Sequence, residues 1–427
     1  MRILLLNNLY PPYVEGGAEI LARDVATGLE RLGHEVLVLT SSFGLAKAEQ
    51  DGQIWRTLKL APSAHFDRQR PLWRQLDQPY NYYRRYHYPA NADELRRVVA
   101  MTQPDILYLW EVAGLGVNSL LKALPGLKIP IVFHLGSYVL LYANSPETEQ
   151  SHLHNRWLKQ RLIGTLPALT CTSLIAVSAA VKQQYVQAGF DAESIEVIYN
   201  GIDPHFLSLP QVEDSASKDE SKSERKECFQ LLFVGRLRDE KGILIILKAL
   251  DLLLDEQSRQ KDTEQPFLHL HIFGTGDKTY VRELETFLDE KHLTHVVTFH
   301  GKVSQDELIR YYDCSDIMLV PSLWQEPFGL VVAEAMARGL PVIASNIGGP
   351  AEILTHDVSG LLIEPGDEQA LASAITQLLE NPQQRALLAA AARTTVQERF
   401  TIEKNARRVE QHLLRAIQRD QKIGINT

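Results

Sequence analysis

Short apolar runs alternate with longer segments of helical period along the whole chain. Ile3–Leu6, Val36–Leu39, Ile106–Leu109, Ile131–Phe133, Leu174–Val177 and Ile195–Ile198 are continuous apolar runs of strand length. A strand that is apolar on both faces needs helices over both faces, which is the condition of a parallel sheet. Between the first two runs the period predicts a helix from about Gly17 to Leu32, closed by Gly33-His34. The pattern stops between Leu209 and Glu227, where Ser, Asp, Glu and Lys replace large apolar residues. Such a stretch reads as a linker or a solvated excursion. The pattern then restarts with Leu231–Val234, Leu268–Phe273, Val296–Phe299, Ile317–Val320, Val342–Ala344 and Gly360–Ile363. Two successive blocks of strand–helix alternation predict an α/β chain with two Rossmann-like parallel sheets. From Thr401 to about Gln418 a charged amphipathic helix is expected, capped by Thr401, which would cross back over the first domain. The expected division is 1–205, a linker 206–228, a second domain 229–395, and the crossing helix within 396–427.

Composition narrows the class. At 427 residues the chain exceeds the size at which one core keeps growing, and its 45% hydrophobic content suffices for two. A net charge of -9 argues against nucleic acid as the main partner. The three cysteines, Cys171, Cys228 and Cys314, have no paired spacing, so neither a disulfide framework nor a zinc site is expected. The opening Met1-Arg2-Ile3-Leu4-Leu5-Leu6 is too short for the core of a signal peptide, and no run approaches the ~20 apolar residues of a membrane span. A cytoplasmic protein is expected, with a peripheral contact to a membrane surface left open.

Open α/β sheets bind ligands beyond the carboxyl ends of their strands, and the unusual segments fall there. Gly16-Gly17-Ala18-Glu19 opens the first helix, where glycines admit a ligand and the helix start favours negative charge. A turn before a helix explains the same residues, and the dinucleotide pattern G-x-G-x-x-G is absent. After Leu231–Val234 come Gly235-Arg236 and Lys241-Gly242, cations suited to a diphosphate, or else a solvated basic turn, since Asp239 and Glu240 lie between. Gly274-Thr275-Gly276-Asp277 is a tight turn that shapes a pocket wall. The densest segment runs from Glu326 to Ala337. Pro327 suggests a helix entry, Glu326 stands just before it, and Glu334 lies two turns inside among Val, Ala and Met. A carboxylate in apolar company needs a partner, and sugar hydroxyls are good ones. Gly348-Gly349-Pro350 and Asn200-Gly201-Ile202-Asp203 are further strand-end turns.

Glu326 and Glu334 have the E-x7-E form within EPFGLVVAEAMARGLPVIAS. With VGRLRDEKG, FGTGD, YNGID, GGPAEI and VSGLL, the chain resembles the family-4 retaining glycosyltransferases. The likeness is specific from about 195 to 365, looser at Gly16-Gly17, and poor from about 45 to 100. It implies the GT-B fold, two Rossmann-like domains facing a cleft, and transfer of a hexosyl group from a nucleoside-diphosphate sugar to a hydroxyl acceptor.

Carried over by position, the resemblance implies that Arg236 and Lys241 neutralise the donor diphosphate beside Gly235. Glu334 binds the ribose and Glu326 contacts the transferred sugar. Phe328, Gly329, Leu330 and Val331 hold sugar and phosphate oxygens. Gly17 lies beside the distal phosphate, Gly274 shapes the pocket, and Gly301, Lys302 and Val303 edge the base. His134 corresponds to a histidine that reaches the donor sugar. Many members follow that histidine with aspartate, whereas this chain reads His134-Leu135-Gly136-Ser137, and a core histidine is the alternative.

His134, Arg236, Lys241 and Glu326 are thus the expected catalytic residues. Gly16, Glu19, Arg84 and Arg85 are acceptor-side candidates. No D-x-D triplet occurs, so neither a metal nor a cofactor is expected. From His65 to Tyr88, five arginines interleave with Trp73 and five tyrosines. Such a stretch suits an anionic lipid or glycan, or is a solvated insertion packing its aromatics on the first domain. The competing functions are a nucleotide-sugar epimerase, a phosphorylase, for which no pyridoxal-phosphate lysine context is found, and a non-catalytic sugar-nucleotide sensor.

Overall fold

The computed structural model describes residues 1–14, 16–61, 87–138, 141, 173–208, 228–259 and 267–425. These form two compact units, Met1–Gly201 with Ile402–Thr427, and Ile202–Thr401. The linker stretch 209–227 and residues 62–86, with Arg84 and Arg85, lie outside the described residues.

The first unit holds β1 (Arg2–Leu6), α1 (Gly17–Arg31), β2 (Glu35–Ser41), β3 (Glu49–Asp51), β4 (Ile54–Leu58), α2 (Pro89–Thr102), β5 (Ile106–Leu109), α3 (Val117–Ala123), β6 (Ile131–Leu135), β7 (Ser173–Ala176), α4 (Ala179–Gln187) and β8 (Ile195–Val197). Its strand order is β3-β4-β2-β1-β5-β6-β7-β8. All pairs are parallel except the antiparallel β3–β4. The apolar runs of β1, β2 and β5 are buried along their lengths, as two covered faces require. Beta-strands β3 and β4 were not expected. Glu49–Asp51 is polar and exposed, and Ile54–Leu58 mixes Arg and Thr with its apolar residues, so neither reads as a continuous run.

The chain's last helix belongs to this unit. It spans Ile402–Ile425, starting one residue after Thr401 and running past Gln418. It lies against α1, where a Cβ on Gly28 would stand 2.7 Å from the Cβ of Ala406, so only glycine lets the axes come this near. Val409 and Leu413 join the core of Ile3, Leu5, Val25 and Tyr108. Asn405 Nδ2 donates to Tyr199 O at 2.7 Å, and Glu410 meets His34 at 2.6 Å.

The second unit holds β9 (Cys228–Val234), α5 (Ile243–Arg259), β10 (Phe267–Phe273), α6 (Lys278–Glu290), β11 (Val297–Gly301), α7 (Gln305–Cys314), β12 (Ile317–Val320), α8 (Leu330–Arg338), β13 (Val342–Ser345), α9 (Pro350–Ile353), β14 (Leu361–Ile363), α10 (Glu368–Glu380) and α11 (Pro382–Arg399), so the terminal helix is α12. The sheet order is β11-β10-β9-β12-β13-β14, all parallel. Leu231, Phe233, Leu270, Ile272, Leu319 and Ile343 pack under α5 and α10 in its core.

In each sheet the order of connection reverses once. The reversal falls between β1 and β5 in the first unit and between β9 and β12 in the second. Loops leaving the two strands diverge there and open a crevice at their carboxyl ends.

Candidate active site

The crevice of the second unit lies between the loops after β9 and β12. After β9 the backbone is held by interlocking glycines. Gly274 has φ +132, and a Cβ on it would stand 1.8 Å from Gly235 O; one on Gly276 would stand 2.0 Å from Leu237 O. Asp277 caps α6 by accepting from Thr279 N at 2.8 Å, so its side chain serves the turn. Arg236 emerges exposed and makes no ion pair among the described residues. Lys241 ends a short 3-10 turn, followed by Gly242 at φ +71, whose Cβ would collide with Pro321 O at 1.9 Å. That close approach presses the β9 loop against the β12 loop. Leu323 N donates to Glu240 O at 2.9 Å across the same seam.

The two loops meet through charge. Lys241 Nζ lies 2.8 Å from Glu326 Oε1, and its ammonium stands 5.7 Å from the Trp324 ring centroid. The same oxygen accepts the Ser322 hydroxyl, and both Ser322 and Glu326 are buried. A buried carboxylate persists because a cation and a hydroxyl satisfy it. The Gly348-Gly349 turn after β13 cradles its backbone: Gly349 N donates to Glu326 O at 2.7 Å, and a Cβ on Gly349 would stand 2.2 Å from Phe328 O.

The helix after β12 starts later than Pro327 suggests. Residues up to Gly329, which has φ +90, form a loop, and α8 opens at Leu330. Pro327 therefore shapes the loop, and Glu334 sits just over one turn inside the helix. The N–H groups of Leu330 and Val331 have no partner within the helix, which leaves an electropositive end facing the crevice loops. Glu334 Oε2 accepts the Tyr312 hydroxyl at 3.0 Å. Burial pushes its carboxyl up to about 7; the Tyr312 hydrogen bond opposes this and nearby Asp203 adds to it. Gly301, at φ +70, ends β11, and its carbonyl accepts from Gly274 N at 2.8 Å, which puts exposed Lys302 and half-buried Val303 beside the Gly274 turn.

The expected residues of the first unit fare differently. Gly16 and Gly17 do open α1, and buried Glu19 accepts from Gly16 N through Oε2 at 3.0 Å, so its carboxylate caps the helix. His134 was placed at a strand end; β6 continues to Leu135, so His134 lies inside the strand. Its ring stacks on Trp110 at 3.8 Å, its Nδ1 meets Tyr108 OH at 2.8 Å, and its buried Nε2 has no partner. Burial, then His412, lowers its pKa to about 3, so the ring is neutral. These are the surroundings of a core histidine.

Sequence reasoning missed the polar residues at the first sheet's own reversal. Asn7 and Glu111 follow β1 and β5. Asn7 Oδ1 accepts from Asn8 N at 3.0 Å and Glu111 N at 3.2 Å, while its buried Nδ2 has no partner. Ser137 donates to Glu111 Oε2 at 2.9 Å. The strand-end rule applied to Leu6 and Leu109 would have found both. Nothing in the sequence pattern marked Ser322 or Tyr312, which reach the two glutamates only through the fold.

Two open parallel sheets in one chain, one with paired lysine and glutamate at its reversal, define the GT-B class. The family model "Glycosyl transferases group 1" matches residues 214–395 and "Glycosyltransferase Family 4" matches 15–206, and the chain belongs to the family-4 type of glycosyltransferases. It is 26% identical over 412 residues to an uncharacterised glycosyltransferase of Methanocaldococcus jannaschii, covering 94% of this chain and 95% of that one. It is 25% identical to the glycogen synthase of Mycobacterium tuberculosis over 94% and 91%. To the D-inositol 3-phosphate glycosyltransferase of Xylanimonas cellulosilytica it is 32% identical, over only 55% of each chain. Among solved structures, HepE of Anabaena in complex with UDP-glucose shares the fold at TM-score 0.68 and 24% identity, over 97% of this chain and 99% of that one. A glycosyltransferase of Rickettsia africae does so at 0.70 and 19%, over 97% and 98%.

No helix among the described residues is long and apolar enough to cross a membrane.

Proposed function

We propose that this glycosyltransferase moves a sugar from a nucleoside-diphosphate sugar to a hydroxyl acceptor, with retention of configuration and without a metal. The observation that carries this reading is the Lys241–Glu326 pair at 2.8 Å, seated where the β9 and β12 loops meet at the carboxyl end of the sheet. Departure of a nucleoside diphosphate develops negative charge on its oxygens. Lys241, exposed Arg236 and the open end of α8 supply preorganised positive charge for it. These groups do the work a metal would do, and no D-x-D triplet is present to hold one. Glu326 is then left to accept from a hydroxyl of the transferred sugar, and Glu334 to accept from the ribose.

In this reading His134 holds the core of the first unit, and the acceptor-side groups are Asn7 and Glu111. The buried Nδ2 of Asn7 offers a donor and Glu111 an acceptor to one hydroxyl. Same-face attack, with the leaving phosphate taking the acceptor proton, accounts for retention without a covalent glycosyl-enzyme.

The test is a thermal-shift screen of UDP-, GDP- and ADP-sugars, followed by NMR of the product anomer from the best donor. The α anomer from an α-linked donor is expected. An inverted product refutes retention, and activity lost to chelator and restored by a divalent cation refutes metal independence. A donor that binds without hydrolysis or transfer to any acceptor refutes the enzyme in favour of a sensor.

A further inference from the structure

Far from Asn7 and Glu111, at the amino end of β7, a cavity of about 400 Å³ is lined by Ser173, Lys182, Glu196, His412, Arg415 and Arg419, among others. Three of these stand in a row. Ser173 Oγ lies 2.8 Å from His412 Nε2, and His412 Nδ1 lies 2.6 Å from Glu196 Oε2. They come from β7, α12 and β8, so the terminal helix must dock before the row exists.

The row settles its own protons. An ionised carboxylate only accepts, so His412 Nδ1 carries the hydrogen that Glu196 receives. In the neutral ring Nε2 is then bare and accepts from the Ser173 hydroxyl. Burial holds His412 below its ordinary value, outweighing the pull of Glu196. Burial raises Glu196, but hydrogen bonds from His412 and Arg415 outweigh it and keep the carboxylate ionised. The result is a hydroxyl beside a neutral base whose tautomer is fixed by an acid, the arrangement that activates a serine nucleophile. His412 is buried while Ser173 is half-exposed, so the nucleophile and not the base faces the cavity. Arg419 and Lys182 line the same space; the Lys182 ammonium donates to Ile195 O at 2.8 Å, which fixes its position and leaves it further N–H donors. Arg415 is taken up by Glu196.

We propose that Ser173, His412 and Glu196 form a nucleophilic relay that hydrolyses acyl esters of anionic compounds, an activity separate from sugar transfer. Ser173 Oγ bonds to the ester carbonyl carbon while its proton passes to His412 Nε2. The carbon–oxygen bond to the alcohol breaks, and His412 returns the proton to the departing oxygen. Water then attacks the acyl-serine, again through His412, releasing the carboxylic acid and restoring the hydroxyl. Arg419 and Lys182 hold the anionic part of the ester.

The full chain treated with a fluorophosphonate probe tests the relay, with the adduct located by peptide mass spectrometry. Labelling of Ser173 is expected, abolished by Ser173→Ala and slowed at least about tenfold by Glu196→Gln, which loses the charge that stabilises the imidazolium. Circular dichroism and sugar transfer, both unchanged, certify the fold of each variant. A folded chain with no adduct on Ser173, or Glu196→Gln labelling at the wild-type rate, overturns the proposal. Hydrolysis of mono-p-nitrophenyl succinate against p-nitrophenyl acetate reads the charge preference. Arg419→Glu should slow the succinate ester selectively, and equal slowing of both esters overturns the anionic assignment.

Discussion

Replacing Glu334 by glutamine should move stability and donor binding in opposite directions. The carboxyl is lifted from its ordinary 4.5 to about 7, chiefly by burial. A folded state that holds a proton to higher pH than the unfolded chain is favoured by that group at low pH. The advantage disappears as pH rises from 4.5 to about 7, and above that the folded state carries the full cost of an ionised, half-buried carboxylate. At ~1.4 kcal/mol per tenfold the cost is about 3 kcal/mol, and the side left open to solvent reduces it to about 2. Glutamine can still accept the Tyr312 hydroxyl but carries no charge. The variant should therefore be about 2 kcal/mol more stable than the parent at pH 8, equal to it at pH 4.5, and flatter in between. Urea unfolding at several pH values measures this.

Binding should run the other way. A carboxylate accepts both hydroxyls of a ribose diol, whereas the protonated acid and the amide accept less well. Donor affinity in the parent should tighten about tenfold between pH 6 and pH 8 as the ionised fraction rises, and the variant should bind weakly at both. Calorimetry with the best donor from the panel reads it. Unchanged stability at pH 8 together with unchanged donor affinity would refute both the burial argument and the ribose assignment.

Lys241→Ala strips the cation from buried Glu326 and should cost about 3 kcal/mol as well as most turnover; Lys241→Met with Glu326→Gln should regain the stability, by chemical unfolding, without regaining activity. Gly242→Ala and Gly349→Ala force a Cβ against Pro321 O and Phe328 O and should each lower Tm by several degrees or abolish soluble expression, with donor binding lost. His134 is held neutral down to about 3 and His271 down to about 4, mainly by burial. The unfolded chain takes protons at both from about pH 6.5 downward, so stability should fall as pH drops below that. His134→Asn should flatten the fall while leaving the rate of sugar transfer near neutral pH within a few-fold of the parent, and a loss of turnover without a loss of fold would restore His134 to catalysis.

The two glutamates stand out in the sequence, but the groups that hold them do not. The E-x7-E spacing and the apolar company of Glu334 were legible in the chain, and so were the cations of the β9 loop. Their pairing was not. Lys241 and Glu326 are 85 residues apart, and only the parallel pairing of β9 with β12 puts their loops side by side. Ser322 and Tyr312 carry no signal in one dimension because each matters only through the carboxylate it touches. The surroundings of His134 were hidden for a related reason: nothing in the apolar run shows that its ring stacks on Trp110 and meets Tyr108, or that its Nε2 stays without a partner.

The periodicity alone determined two parallel α/β units, because strands apolar on both faces admit no other covering. The glycines at φ +71, +132 and +90 were visible as glycines, but their necessity was decided by which carbonyl or side chain faces each missing Cβ. Only the tertiary structure decided which polar residues are consumed. Glu19 Oε2 is spent on a cap and Glu326 Oε1 on a lysine and a serine, while Asn7 is left with an unanswered donor. Hydrogen bonds and burial are properties of neighbours, and a sequence names its residues without naming their neighbours.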